Sequence, residues 1–102
     1  MKQMDIKFGK EGNALVVLIE GEIDHHTASR ARERIDGKFL MEPVKNMVMD
    51  LSRVTFMDSA GIGLILGRLS RVTSVGGKMS IRKPKPEINK ILKMSKIESI
   101  VE

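Results

Sequence analysis

The stretch "TFMDSAGIGLILGRL", Thr55 to Leu69, decides the fold. An apolar run ends in the pair Asp58 and Ser59, then turns at once into a helical pattern interrupted by Gly61, Gly63 and Gly67. A strand leading straight into a helix is half of a strand–helix–strand unit. Each glycine inside a helix costs about 0.8–1 kcal/mol relative to alanine. Two of them four residues apart, Gly63 and Gly67, point to something that comes close to the helix backbone. Projected at about 100° per residue, Ile62, Ile65, Leu66, Leu69, Val72 and Thr73 form one broad face, expected against a sheet. Ala60, Gly63, Gly67, Ser70 and Ser74 make a neighbouring stripe of small side chains. That stripe is either a tight seam within the fold or a ledge that a partner covers. Leu64 and Val75 are expected to point outward beside Arg68 and Arg71, with Leu64 a partner contact near Ser59.

Working outward, strand-like and helix-like segments alternate. "MDIKF" (4–8) alternates and stops at Gly9, and "ALVVLIEG" (14–21) is a continuous β-branched run, with "GKEGN" (9–13) as the turn between them. From Thr27 the period becomes helical: Ala28, Ala31 and Ile35 share a face with Phe39 close by, up to about Met41 before Pro43. "KNMVMDLS" (45–52) is a third strand, and the glycine-broken helix runs to about Val75, where "VGGK" stops it. "KMSIR" (78–82) is a fourth strand, "PEINKILKM" (86–94) a helix opened by proline, and "IESIVE" (97–102) a last short strand or docking tail. The order ββαβαβα predicts a single α/β domain, with a mixed, mostly parallel sheet and helices packed on it. Functional loops in such sheets lie beyond the carboxyl ends of the parallel strands. Two polar loops fall there, "GEIDHHT" and "TFMDSAG".

Composition sets the limits. The 102 residues suffice for one modest core. There is no Trp or Tyr and only three Phe, so that core is aliphatic and Met-rich. With no cysteine, disulfides and thiolate metal clusters are excluded. No apolar run approaches the roughly 18–20 residues of a membrane span, and the amino terminus lacks the apolar centre of a signal peptide. A cytoplasmic protein is expected. The net charge of +5 sits in the second half: residues 61–102 hold nine Lys/Arg against three Asp/Glu. Direct nucleic-acid binding is not expected, because aromatic residues to stack on bases are scarce. His25 and His26 are adjacent, which suits no shared metal ion on a helix or strand, and no metal or cofactor is expected.

Four roles compete for Ser59. Asp58 or Ser59 caps the helix. The glycines form a nucleotide turn, but their spacing puts Leu66 where the dinucleotide fingerprint needs glycine. Ser59 is a hydrolase nucleophile, but Met57 replaces the first glycine of that elbow and both histidines precede the serine. Or Ser59 accepts a phosphoryl group at an exposed helix start, where free N–H groups and the helix dipole favour an anion.

"GEIDHHTA" after a β run, followed by "LSRVTFMDSAGIGLILGR", resembles the bacterial anti-sigma factor antagonists, whose fold is the STAS domain. The likeness covers essentially the whole chain. It implies a sporulation-type partner switch. The unphosphorylated chain binds an anti-sigma factor that is also an ATP/ADP-bound serine kinase, and so frees a sigma factor. Phosphorylation of Ser59 ends that contact, and a serine phosphatase restores it. The chain is then a kinase substrate and not an enzyme. The motif's acids fall on Asp24 and Asp58, and its following residues on Ala60, Gly61 and Gly63. Leu64 and Gly67 extend the expected partner surface. Ala60 stands where relatives often carry a second serine. A STAS scaffold or ligand-sensing module in a transport or stress complex is the alternative, one that does not require an intact serine motif.

Overall fold

The computed structural model describes residues 4–102. Its strands and helices are β1 (Met4–Glu11), β2 (Ala14–Ile23), α1 (Ala28–Met41), β3 (Asn46–Met57), α2 (Ser59–Ser74), β4 (Met79–Arg82) and α3 (Pro86–Met94). The sheet order is β1-β2-β3-β4. β1 pairs antiparallel with β2, while β2–β3 and β3–β4 are parallel. The mixed sheet and the ββαβαβα order are as the sequence predicts. Among the described residues no helix is long and apolar enough to cross a membrane.

The near-continuous apolar sequences of β2 and most of β3 fit strands whose second face is also partly covered. Alternation still selects a core face. Leu15, Val17, Ile19 and Ile23 of β2 are buried, together with Met47, Met49 and Leu51 of β3 and Ile81 of β4. The register Leu15↔Met47↔Met79 and Val17↔Met49↔Ile81 puts these side chains on one face. α1 lies against β2 and α2, and α2 against β3 and β4. Ala31, Ile35 and Phe39 are the buried residues of α1, as its period predicts.

Several boundaries move. β1 continues through Gly9 to Glu11, so the hairpin closes over only Gly12 and Asn13, with Gly12 in the left-handed region at φ +60°. β3 runs to Met57, seven residues beyond its pairing with β4; α3 packs on β3, and Met57 shares a groove with Ile91 and Met94 of α3. The carboxyl end is a single 3-10 turn (Glu98–Ile100) followed by one parallel bridge from Val101 to Ile81.

The α2 projection needs correcting by about a quarter turn. Ile65 and Val72 are buried as expected, but so are Gly61, Leu64 and Arg68, while Leu66 is 46% exposed. Thr73 also faces solvent. α1 packs along the Leu64 side of α2, and Arg68 is drawn inward by an ion pair with Asp36 at 2.9 Å. Leu64 is therefore a core residue at the helix seam and not an outward partner contact.

Arg82 ties the sheet to both of its extremities. Its guanidinium donates to both Glu11 oxygens at 3.0 Å and to Glu102 at 3.3 Å, while Ser80 donates to Glu102 at 2.7 Å. These bonds hold the Glu11 carboxyl below its ordinary value, through Arg82, and the Glu102 carboxyl likewise, through Ser80 and then Arg82. A carboxyl depressed in the folded state contributes stability that is present above its unfolded pKa and lost as pH falls through the folded one. Thermal midpoints measured from pH 7 downward should therefore fall below about pH 4.5. Arg82→Ala should flatten that part of the profile. An unchanged acid limb in the variant would contradict this reading of the cluster.

Candidate functional site

The carboxyl ends of β2 and β3 bring the two polar loops side by side. The Asp58 N–H donates to the Ile23 carbonyl at 3.2 Å, and His25 Nδ1 lies 3.7 Å from Asp58 Oδ2. The loop after β2 is built around Asp24. Its Oδ1 accepts from the His26 amide at 2.8 Å and the Thr27 amide at 3.1 Å. The buried Thr27 hydroxyl donates to the Glu22 carbonyl at 2.9 Å and accepts from the Asp24 amide at 3.0 Å. Desolvation alone would raise the Asp24 carboxyl, but the donors from His26 and Thr27 outweigh it and hold it below its ordinary value. Asp24 thus shapes the rim as much as it faces a visitor.

At the second loop Asp58 is the N-cap of α2, its side chain accepting from the Ala60 amide at 2.8 Å. Ser59 is released from that duty. It is exposed, and among the described residues its hydroxyl has no hydrogen-bond partner. Gly61 and Ile62 N–H groups bond to the Asp58 carbonyl at 2.9 and 3.4 Å. The helix start therefore offers fewer free donors to an anion than the sequence suggests, and it sets the Asp58 carboxylate close by.

Grooves lie on both sides of this helix start. One, of ≈ 460 Å³, runs between α1 and α2, and its walls include His25, Arg32, Ala60, Gly63, Gly67 and Arg68. The other, of ≈ 290 Å³, lies between α2 and α3 and includes Met57, Ser59, Ile62, Ile91 and Met94.

A family model for the STAS domain matches residues 5–102. The chain belongs to the STAS family. It is 32% identical over 98 residues to the anti-sigma F factor antagonist of Paenibacillus polymyxa, covering 96% of this chain and 84% of that protein. The anti-sigma factor antagonist SpoIIAA in its unphosphorylated form superposes with a TM-score of 0.85 and 26% identity, over 96% of this chain and 86% of that one. The phosphorylated form of the Bacillus cell fate determinant SpoIIAA gives a TM-score of 0.76 at 26% identity, over 96% and 89% of the two chains.

In this STAS chain Asp24, Asp58, Ser59 and Ala60 gather at one rim, as their loops predict. Gly61 does not join them. It is buried, and a Cβ there would run into Met57 and approach Ile23 Cγ2 to 3.3 Å, so internal packing requires the glycine. Gly63 and Gly67 differ: a Cβ at either position would meet nothing within 4 Å. Of the two readings of the small-residue stripe, a tight internal seam is thereby removed for these two positions. Sequence reasoning missed Ile91 and Met94. Met94 is 78% exposed beside the Ser59 end. An apolar residue at the last turn of a basic helix is the only signal the sequence holds for it.

Proposed function

We propose that this STAS chain is an anti-sigma factor antagonist switched by phosphorylation of Ser59. The observation that carries the reading is an exposed serine at the first position of α2 whose capping role is filled by its neighbour Asp58. Such a hydroxyl can be modified without removing an interaction that holds the fold together. The relatives named as anti-sigma factor antagonists support the same role. In the unphosphorylated state the rim formed by Asp24, Asp58, Ser59 and Ala60, with the exposed Gly63 and the half-buried Gly67, binds an anti-sigma factor and releases the sigma factor. The anti-sigma factor is also the serine kinase: the γ-phosphoryl group of ATP passes to Ser59 Oγ, and ADP leaves. A serine phosphatase returns the hydroxyl. The chain works in the cytoplasm and supplies no catalytic group of its own.

A phosphate adds about −1.5 to −2 charges and three acceptor oxygens. With the first-turn donors largely taken by Asp58, that charge stands beside a carboxylate and faces the partner. About 2.7 kcal/mol of lost contact is enough for a 100-fold weaker complex.

The test is intact and peptide mass spectrometry after incubation with ATP and the same organism's anti-sigma kinase. One phosphoryl group on Ser59, absent from Ser59→Ala, is expected. Ser59→Ala should bind the kinase like the native chain, and Ser59→Asp about tenfold more weakly. No modification by a kinase shown active on another substrate would end the switch reading and favour a scaffold role.

A further inference from the structure

The groove between α1 and α2 holds three features that phosphoryl transfer to Ser59 does not by itself require. Its floor is open at Gly63 and Gly67, where an added Cβ meets nothing within 4 Å. Helix propensity disfavours glycine at both positions, and no neighbour within the chain requires it. The second feature is Arg68, which lines the groove. It is only 5% exposed, yet its Nε makes no hydrogen bond among the described residues. That atom lies 2.9 Å from Asp36 Oδ1, but the N–H is not aimed at the oxygen, so the contact is an ion pair without a hydrogen bond. A buried guanidinium with unused donors is an uncommon arrangement. The third is charge. Arg32 lines the same groove, and Arg71 lies 3.5 Å from the same Asp36 oxygen. Two guanidiniums thus share one carboxylate, and Arg32 brings a further positive charge to the groove.

We infer that this groove seats an acidic segment of the anti-sigma partner, a partner carboxylate docking against Arg68 and Arg32 while the segment's backbone lies over Gly63 and Gly67. The inference rests on the partner-switch reading of Ser59 and extends that contact along α2. From Ala60 to Arg68 the helix rises about 12 Å, so one extended or helical segment reaches from the phosphorylation end to the arginines. The groove is open along this length and continuous with the rim through His25 and Ala60. A small free anion would find guanidiniums in an open trough. A polypeptide also covers the glycine floor. Arginine forks suit a carboxylate, and the excess of positive charge excludes a basic segment.

The test is calorimetric titration of the full chain with the ADP-loaded anti-sigma kinase of the same organism, with denaturation of each variant alongside. Gly67→Leu should bind at least about 30-fold more weakly while its denaturation midpoint stays level or rises, because a Cβ there meets nothing within 4 Å, the position lines an open groove and leucine favours helix. Arg32→Glu, at an exposed site, should bind about tenfold more weakly, with the difference shrinking as salt is added. If both variants bind like the native chain while Ser59→Asp weakens binding, the groove assignment fails and the Ser59 reading survives. Weakening by Gly67→Leu alone overturns the acidic assignment. ATP binding to the chain without the kinase, with amide shifts confined to Gly63, Gly67 and Arg68, would overturn it in favour of a phosphate ligand. No binding by the native chain removes the Ser59 reading and this one with it.

Discussion

Gly77→Ala is expected to lower the unfolding free energy by about 3 kcal/mol or more. A Cβ at this position would fall on the Lys45 carbonyl group and stand 3.1 Å from Val72 Cγ1. Lys45 is backbone at the entrance to β3 and cannot swing aside as a flexible side chain would. Moving it disturbs the bond from the Met47 amide to the Lys78 carbonyl at 3.0 Å and the bond from the Gly77 amide to the Val72 carbonyl at 2.9 Å. The crossover from α2 to β4 is thus closed by a glycine for lack of space, not for backbone freedom. Urea denaturation of the variant measures the effect, with Gly63→Ala as the control. The control should gain up to about 1 kcal/mol, so the two substitutions are expected to have opposite signs. A loss below about 1 kcal/mol in Gly77→Ala would mean that the α2–β4 turn yields more easily than its packing implies.

The second large effect is at Asp36. Removing it as Asp36→Ala leaves Arg68 at 5% exposure without its nearest counter-charge. Burial pushes the Arg68 guanidinium below its ordinary value, Asp36 opposes that, and Arg71 and Arg32 add repulsion. Breaking a buried pair from one side destabilises by roughly 3–5 kcal/mol, and about 3 is expected here because the groove admits some water. Arg68→Met should be far milder. It removes the charge, fills the seam, and leaves Asp36 with Arg71 at 3.5 Å. The double variant should recover most of the loss, giving a coupling of about 1–3 kcal/mol in a double-mutant cycle. Additive losses would show that Arg68 is solvated rather than held by Asp36.

The order of elements was legible because each boundary has a local chemical cause: Gly12 at the hairpin, Pro43 after α1, Gly76 and Gly77 after α2, Pro86 at the start of α3. The pairing of the two loops was legible too, since it follows from two adjacent parallel strands. The face of α2 was not. A hydrophobic projection counts Arg68 as outward and Leu66 as inward, but which side is covered depends on where α1 lies. The Arg68–Asp36 pair that permits burial joins residues 32 positions apart, with no local trace. Gly61, Gly63 and Gly67 look alike as letters. Only the surroundings separate the first, which is crowded by Met57, from the other two, which face open space. Likewise, the place of Met94 beside Ser59 depends on how α3 folds back over the long end of β3.

That separation of the glycines bears on how a cell keeps related switches apart. Substitutions at Gly61 or Gly77 are filtered by folding before any partner is met. At Gly63 and Gly67 they are not, because a Cβ added there meets nothing within 4 Å. Duplicated copies of such a chain are therefore free to diverge at these two positions without prior compensation in the core. Insulation between parallel signalling routes would then begin in the groove, while the serine chemistry at the rim stays common to all of them.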